Sequence, residues 1–266
     1  MAGMARWLLC ALLLVAGARS GTADGDARPA KALQDNSFLI EEAYNQEPGV
    51  VQHIATMRRQ NRDWFFVFTQ EWPLGSQTHQ FSYSIPYTWL RGAGRGLGDV
   101  ALNYRYQALL ETDYLPAFSP RISLLVPSGN ASKDLGVGAA GYQINLPLSK
   151  IVSERTTLHA NAGLTSYFDV RGRQPVSYNL GGSVIYAVTA EFNLMLESLA
   201  EWTETVDAVG LIAREASYTL NPGFRYAFNL ASGQLVLGIA APVRFTRGAR
   251  DYGAFFYASF EHGVLK

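Results

Sequence analysis

The 266-residue chain has 22 basic and 22 acidic residues, so its formal net charge is zero and no basic surplus points to nucleic acid. Charged residues make up 17% and aromatics 12%, and the single cysteine, Cys10, lies inside an N-terminal apolar run. The rest of the chain therefore has no disulfide framework, no thiol nucleophile and no cysteine-based metal site.

In chain order, Arg6 is followed by an apolar core from Trp7 to Ala16 and then by small residues, the layout of a secretory signal. Cleavage after Ser20 or after Ala23 fits, and residues 1–23 are taken as the signal peptide. Leu9 before Cys10 is not the small residue that lipoprotein processing needs. Residues 24–49 form an N-terminal segment with a flexible start. Within it, residues 31–47 do not alternate, and Ser37 is placed to cap a short helix through Gln46, ended by Pro48 and Gly49. That piece lies in the periplasm or enters the lumen as a plug; the alternative is one further, edge-like strand. No apolar run after residue 30 approaches the roughly 20 residues of a membrane helix.

From about residue 50, period-two segments recur between turn signals. We expect twelve strands, near 50–59, 63–72, 79–90, 97–110, 119–127, 136–148, 156–168, 175–189, 190–203, 214–228, 234–245 and 252–262. In GLGDVALNYRYQALL (96–110), Val100, Leu102, Tyr104, Tyr106, Ala108 and Leu110 alternate with Asp99, Asn103, Arg105 and Gln107. Most segments exceed the roughly 5–6 residues of a globular strand and match the roughly 9–11 of a tilted bilayer-crossing one. An even strand number suits a bacterial outer-membrane barrel. The expected fold is thus all-β, a transmembrane antiparallel barrel over residues 50–266.

The polar face carries Asn, Ser, Thr and Gln rather than Lys, which suits a lumen better than a water-exposed sheet face. Trp64 opens its strand, while Trp72, Trp89 and Trp202 close theirs, as in an interfacial aromatic girdle. Pro86, Pro222 and Pro242 fall inside expected strands, where bulges or shifted boundaries must accommodate them. With the N-terminus in the periplasm, the connections near 60–62, 91–96, 128–135, 169–174, 204–213 and 246–251 face the medium.

A lipid-facing arginine at mid-strand costs roughly 2–4 kcal/mol, so Arg105 must point inward. By the same parity Asp99, Asn103, Arg105, Arg121, His159, Asn161, Glu197, Glu201 and Arg225 line the lumen and any solute path. The charges among them either pair as struts or select a solute; both readings use the same residues. Glu197 and Glu201, four apart on a strand, sit about 13 Å apart, too far to share a proton. His159 has no serine close in sequence, so no catalytic residue is assigned, and no cluster has zinc-ligand spacing. GAGRGLG (92–98) lacks the lysine of a phosphate loop and reads as a turn.

Three stretches, SFLIEEAYNQEPGVVQHI (37–54), GLGDVALNYRYQ (96–107) and PRISLLVPSGN (120–130), together resemble the outer-membrane transporter family of the MetA pathway of phenol degradation. The GLGD opening and the Pro127-Ser128-Gly129 turn carry most of the likeness. The resemblance implies an outer-membrane barrel that moves small apolar molecules. The end departs from the usual terminal aromatic, since Phe260 is followed by EHGVLK.

The expectation is a monomeric, porin-like outer-membrane channel of a Gram-negative cell for small apolar or aromatic solutes, without cofactor or metal. Its partners would be membrane lipid, the solute and the barrel-assembly machinery. The alternatives are an outer-membrane lipid-modifying enzyme and a passive structural barrel with a sealed lumen.

Overall fold

The computed structural model describes residues 37–92 and 94–264; the expected signal peptide, 1–23, lies outside the described residues. The strand segments are β1 (Val50–Gln60), β2 (Asp63–Pro73), β3 (His79–Leu90), β4 (Gly94–Leu97), β5 (Val100–Tyr106), β6 (Ala117–Phe118), β7 (Arg121–Val126) and β8 (Gly141–Ser153). They continue as β9 (Thr156–Tyr167), β10 (Val176–Ala187), β11 (Phe192–Val206), β12 (Ile212–Leu230), β13 (Gly233–Ala240), β14 (Val243–Thr246), β15 (Ala249–Tyr252) and β16 (Ala254–Gly263). Sequence neighbours pair antiparallel, β1 pairs β16, and β11 pairs β12, so the sheet closes on itself. The pairs β4/β5, β6/β7, β13/β14 and β15/β16 are each one stave with a short break, which makes a closed antiparallel barrel of twelve staves.

Proline explains the four breaks. A strand residue turns its N–H and its C=O to the same neighbour, so a proline leaves one partner without a donor opposite it. The carbonyls of Pro86, Pro147, Pro222 and Pro242 accept the N–H groups of Gly98, Ser119, Ala241 and Gly253, at 2.9, 3.3, 3.0 and 2.8 Å. Those four donors are the residues where the neighbouring staves are interrupted. Of the expected bulges or shifted boundaries, boundaries shift: the staves facing these prolines are interrupted, and Pro242 itself lies in the break between β13 and β14.

The two faces are inverted relative to a water-soluble sheet. Leu102, Tyr104 and Tyr106 are 37%, 38% and 43% exposed on the outside, while Asn103 and Arg105 on the inside are 5% and 4% exposed. The same alternation holds around the barrel: Leu180, Leu194, Leu196, Phe224 and Tyr226 are exposed outside, and Asn161, Ser183, Glu197, Asn221 and Arg225 are buried inside. Water-soluble monomers rarely expose a contiguous apolar surface beyond a few hundred Å², whereas a barrel in lipid requires one.

Several strand bounds differ from the expected ones, and one expected segment is displaced as a whole. The 136–148 segment is shifted to Gly141–Ser153, because residues 127–140 make a loop with a 3-10 turn at Ala131–Lys133 and a left-handed Gly138 (φ 78°). Strands β11 and β12, of 15 and 19 residues, exceed the roughly 9–11 a bilayer needs. Their hairpin projects beyond the rim.

Candidate functional site

The inner wall is rich in side-chain amides and hydroxyls because it serves a second backbone. Residues 37–46 form neither helix nor strand; they run through the barrel, with Ser37, Phe38, Ile40, Glu42, Ala43, Asn45 and Gln46 buried. The expected helix from Ser37 is replaced by an irregular, extended path. Such a path cannot satisfy its own N–H and C=O groups, and the staves have already paired with each other. Side chains stand in for a ladder. Leu39 and Ile40 N–H donate to Glu197 (2.7 and 3.2 Å), Glu41 N–H to Asn161 (2.7 Å), and Ala43 N–H to Ser149 (2.7 Å). Asn45 N–H donates to Gln107 (3.0 Å) and Gln46 N–H to Gln80 (2.7 Å). In return Asn161 and Gln107 donate to the carbonyls of Glu41 and Ala43, at 2.9 and 2.8 Å.

Charge fixes the middle of this segment. Arg121 Nε donates to Glu41 at 3.0 Å and its Nη2 reaches the second carboxylate oxygen, a bidentate pair. Arg105 approaches the same carboxylate at 3.6 Å and Glu71 at 4.0 Å. Arg121 also donates to Asn103 (3.0 Å) and Gln143 (2.7 Å). Glu41 belongs to the inserted segment, outside the spanning strands. Burial alone would push its carboxyl up, but the Arg121 and Arg105 guanidiniums, with hydrogen bonds from Arg121 and Asn145, bring it down to about 2.

Next to Glu41 the anchor is apolar. Phe38 stacks on Phe255 and lies against Tyr257, with ring centroids 5.4 and 5.3 Å away. Its ring rests on bare backbone: a Cβ at Gly238 would lie 2.4 Å from Phe38, and one at Gly223 2.9 Å. Mid-strand glycine is otherwise unfavourable; here it makes room for the segment.

Beside the segment an open cavity of about 270 Å³ is bordered by Leu39, Glu41 and Arg121 and walled by Asn145, Asn161, Thr165, Asn179, Leu199 and Glu201, among others. Ser217 donates to Glu201 at 3.3 Å.

The residues singled out by parity thus separate into groups. Asn103, Arg105 and Arg121 meet around Glu41; Asn161 and Glu197 hold the segment's backbone; Arg225 is fully buried on β12. Glu201 faces the cavity. His159 shares a 2.7 Å hydrogen bond with Ser149, a cross-strand pair without proximity in sequence. That pair resembles half of a hydrolase site, yet Ser149 and His159 are 1% and 5% exposed beneath Ala43, on the face turned away from lipid. With residues 37–46 in place, neither side chain is accessible. Trp64, Trp89 and Trp202 stand on the outer face near the long-loop end, and Trp72 near the other end, stacked on Phe81.

Asp99 does something else. One carboxylate oxygen accepts Gly129 N–H at 2.9 Å and the other Val137 N–H at 2.7 Å. Ser128 Oγ accepts Val100 N–H and donates to the Gly98 carbonyl, both at 3.0 Å. The GLGD and Pro127-Ser128-Gly129 motifs therefore clasp each other and hold the 127–140 loop against the rim, where a Cβ on Gly136 would lie 2.4 Å from Asp99. Asp99→Ala removes both acceptors, and a cost of about 1–3 kcal/mol is expected. Limited proteolysis should then cut within 127–140 well before the barrel melts; a cleavage pattern identical to wild type would refute the clasp.

Alternation turned Gln107 into the lumen with Arg105, but sequence reasoning did not single out Glu41, Gln80 or Ser149 as site residues. The signal available for the first was its context: Glu41 and Glu42 are the two acids in the stretch 37–46, which does not alternate and leads straight into β1.

No family model matches the chain, and no curated protein matches it. Among solved structures the chain is similar to an outer membrane channel from Pseudomonas putida F1, at 13% identity and a TM-score of 0.65, over 83% of this chain and 97% of that one. The shared fold is a closed antiparallel β-barrel. Lesser likenesses are to the NanC porin (10% identity, TM-score 0.48, over 79% and 98% of the two chains) and to CymD, a monoaromatic hydrocarbon channel (10%, 0.43, over 83% and 90%).

Proposed function

We propose that this chain is an outer-membrane channel for small solutes, gated by its own residues 37–46. The observation that carries the reading is how the segment is held. It crosses the bore on side-chain hydrogen bonds and one ion-pair cluster, not on a strand ladder, and an open cavity lies beside it. A segment fixed in this way can leave without opening the sheet.

The solute class follows from the cavity's chemistry and from the resemblance to phenol-degradation transporters. Leu39 and Leu199 offer an apolar surface for a ring, and the Asn, Thr and Ser side chains around them offer hydrogen bonds to a polar substituent. A small aromatic compound bearing a hydroxyl or carboxylate suits both. Asn103, Arg105, Arg121, Asn161, Glu197, Glu201 and Arg225 are proposed to set the electrostatics of the path. The four tryptophans are proposed to mark the headgroup levels. Liposome swelling with pure protein tests the reading. Benzoate-sized solutes should enter faster than disaccharides, and no flux of any solute, with or without the segment, would overturn it.

A further inference from the structure

One row of outward-facing residues crosses four staves at the long-loop end. Arg59 pairs with Trp64, Trp64 with Trp89, and Trp89 with Arg95. Two tryptophans at the lipid face are thus flanked by an arginine on either side. The hairpin turns just beyond this row add Arg62 and Arg91, and all four arginines are exposed. None of the four forms an ion pair among the described residues. The nearby acids do not neutralise them: Asp63 accepts the Arg91 backbone N–H at 2.7 Å, and Asp251 the Asn61 backbone N–H at 3.0 Å. Both acids lie on the inner parity of their strands.

Arg62 carries a second signal. The two-residue turn Asn61-Arg62 has φ of 49° and 75°, the mirror-image turn that prefers glycine at its second position. An arginine there strains the backbone and is not needed by the turn. What it supplies is an exposed cation at the tip of the hairpin that carries Arg59 and Trp64.

We propose that Arg59, Arg62, Arg91 and Arg95, around Trp64 and Trp89, bind the phosphate groups of a phosphorylated glycolipid in the surrounding leaflet. Guanidinium groups match phosphate oxygens in pairs, the indoles sit at headgroup level, and the acyl chains lie along the apolar wall below. Exposed cations on a lipid-facing row are otherwise costly; a phosphate opposite them removes that cost. The proposal rests on the membrane reading above but not on conduction.

Native mass spectrometry of the detergent-solubilised full chain tests it, with a bisphosphorylated glucosamine-disaccharide lipid as the probe. Wild type should prefer this lipid to the same lipid without phosphates. R59Q/R95Q should weaken binding roughly thirtyfold, about 2 kcal/mol at 1 kcal/mol per arginine. R171Q/R173Q removes equal charge at the same end, from side chains that donate to backbone carbonyls, and should leave binding unchanged. Three results would overturn the proposal: equal affinity for the dephosphorylated lipid, equal loss in the two double variants, or full displacement by millimolar inorganic phosphate. Because lipid binding is the readout, a barrel that passes no solute leaves the proposal standing. Loss of lipid binding equally leaves the channel reading intact.

Discussion

Deleting residues 37–47 should raise single-channel conductance in planar bilayers several-fold. The sheet closes through β1 with β16 and through β11 with β12, and neither ladder uses the segment. Its removal therefore leaves the wall intact and empties the bore beside the existing cavity. Apart from Phe255 and Tyr257 beneath Phe38, the groups it vacates, Glu197, Asn161, Gln107 and the Arg105–Arg121 pair, are hydrophilic and would be solvated by the water that enters. A steric variant reaches the same state without shortening the chain. Gly238→Val places methyl groups where Phe38 now lies, within 2.4 Å at the Cβ alone, and should expel Phe38 while the outer face is untouched. Both variants should conduct more than wild type. Unchanged conductance in both would favour a passive structural barrel with a sealed lumen.

The barrel was legible in the sequence because its information is local. In VALNYRY the pleat alone assigns Leu102 and Tyr104 to one face and Asn103 and Arg105 to the other, and the low-dielectric exterior decides which face is inside. What was not legible is non-local. Residues 37–46 lack alternation because both sides of the segment are buried inside the barrel. Their backbone partners, Glu197, Asn161, Ser149, Gln107 and Gln80, are scattered over more than a hundred positions. With its partners invisible, the stretch read as a short capped helix by default. The prolines failed in a similar way: each was visible, but the break it causes lies in a neighbouring stave. Asp99 had the right parity for the lumen and a different task, because its partners, Gly129 and Val137, sit on a loop whose path the sequence does not fix.

Glu41→Gln should release the segment at neutral pH, and lowering the pH should release it in wild type. Arg105 and Arg121, 4% and 11% exposed at the side chain, lose their shared counter-ion in the variant. Removing one partner of a buried pair costs about 3 kcal/mol where nearby water relieves part of the charge, the low end of the usual range. That energy shifts the docked-to-undocked ratio about a hundredfold. The wild-type pH dependence follows from the sign of the Glu41 shift. Its carboxyl titrates near about 2 when docked, against 4.5 for the free group. A depressed value means that ionisation favours docking, so the contribution is complete above about pH 4.5 and is lost as the pH falls towards about 2. The Glu41 contribution therefore predicts that conductance rises as the pH falls from about 4.5 towards about 2. The E41Q variant should already be high at pH 7 and lack this rise. Adding R121M to E41Q removes one orphaned cation, leaves Arg105 with Glu71, and should bring conductance part of the way back. An E41Q channel that conducts as wild type does, with the acid rise intact, would show that the carboxylate does not hold the gate.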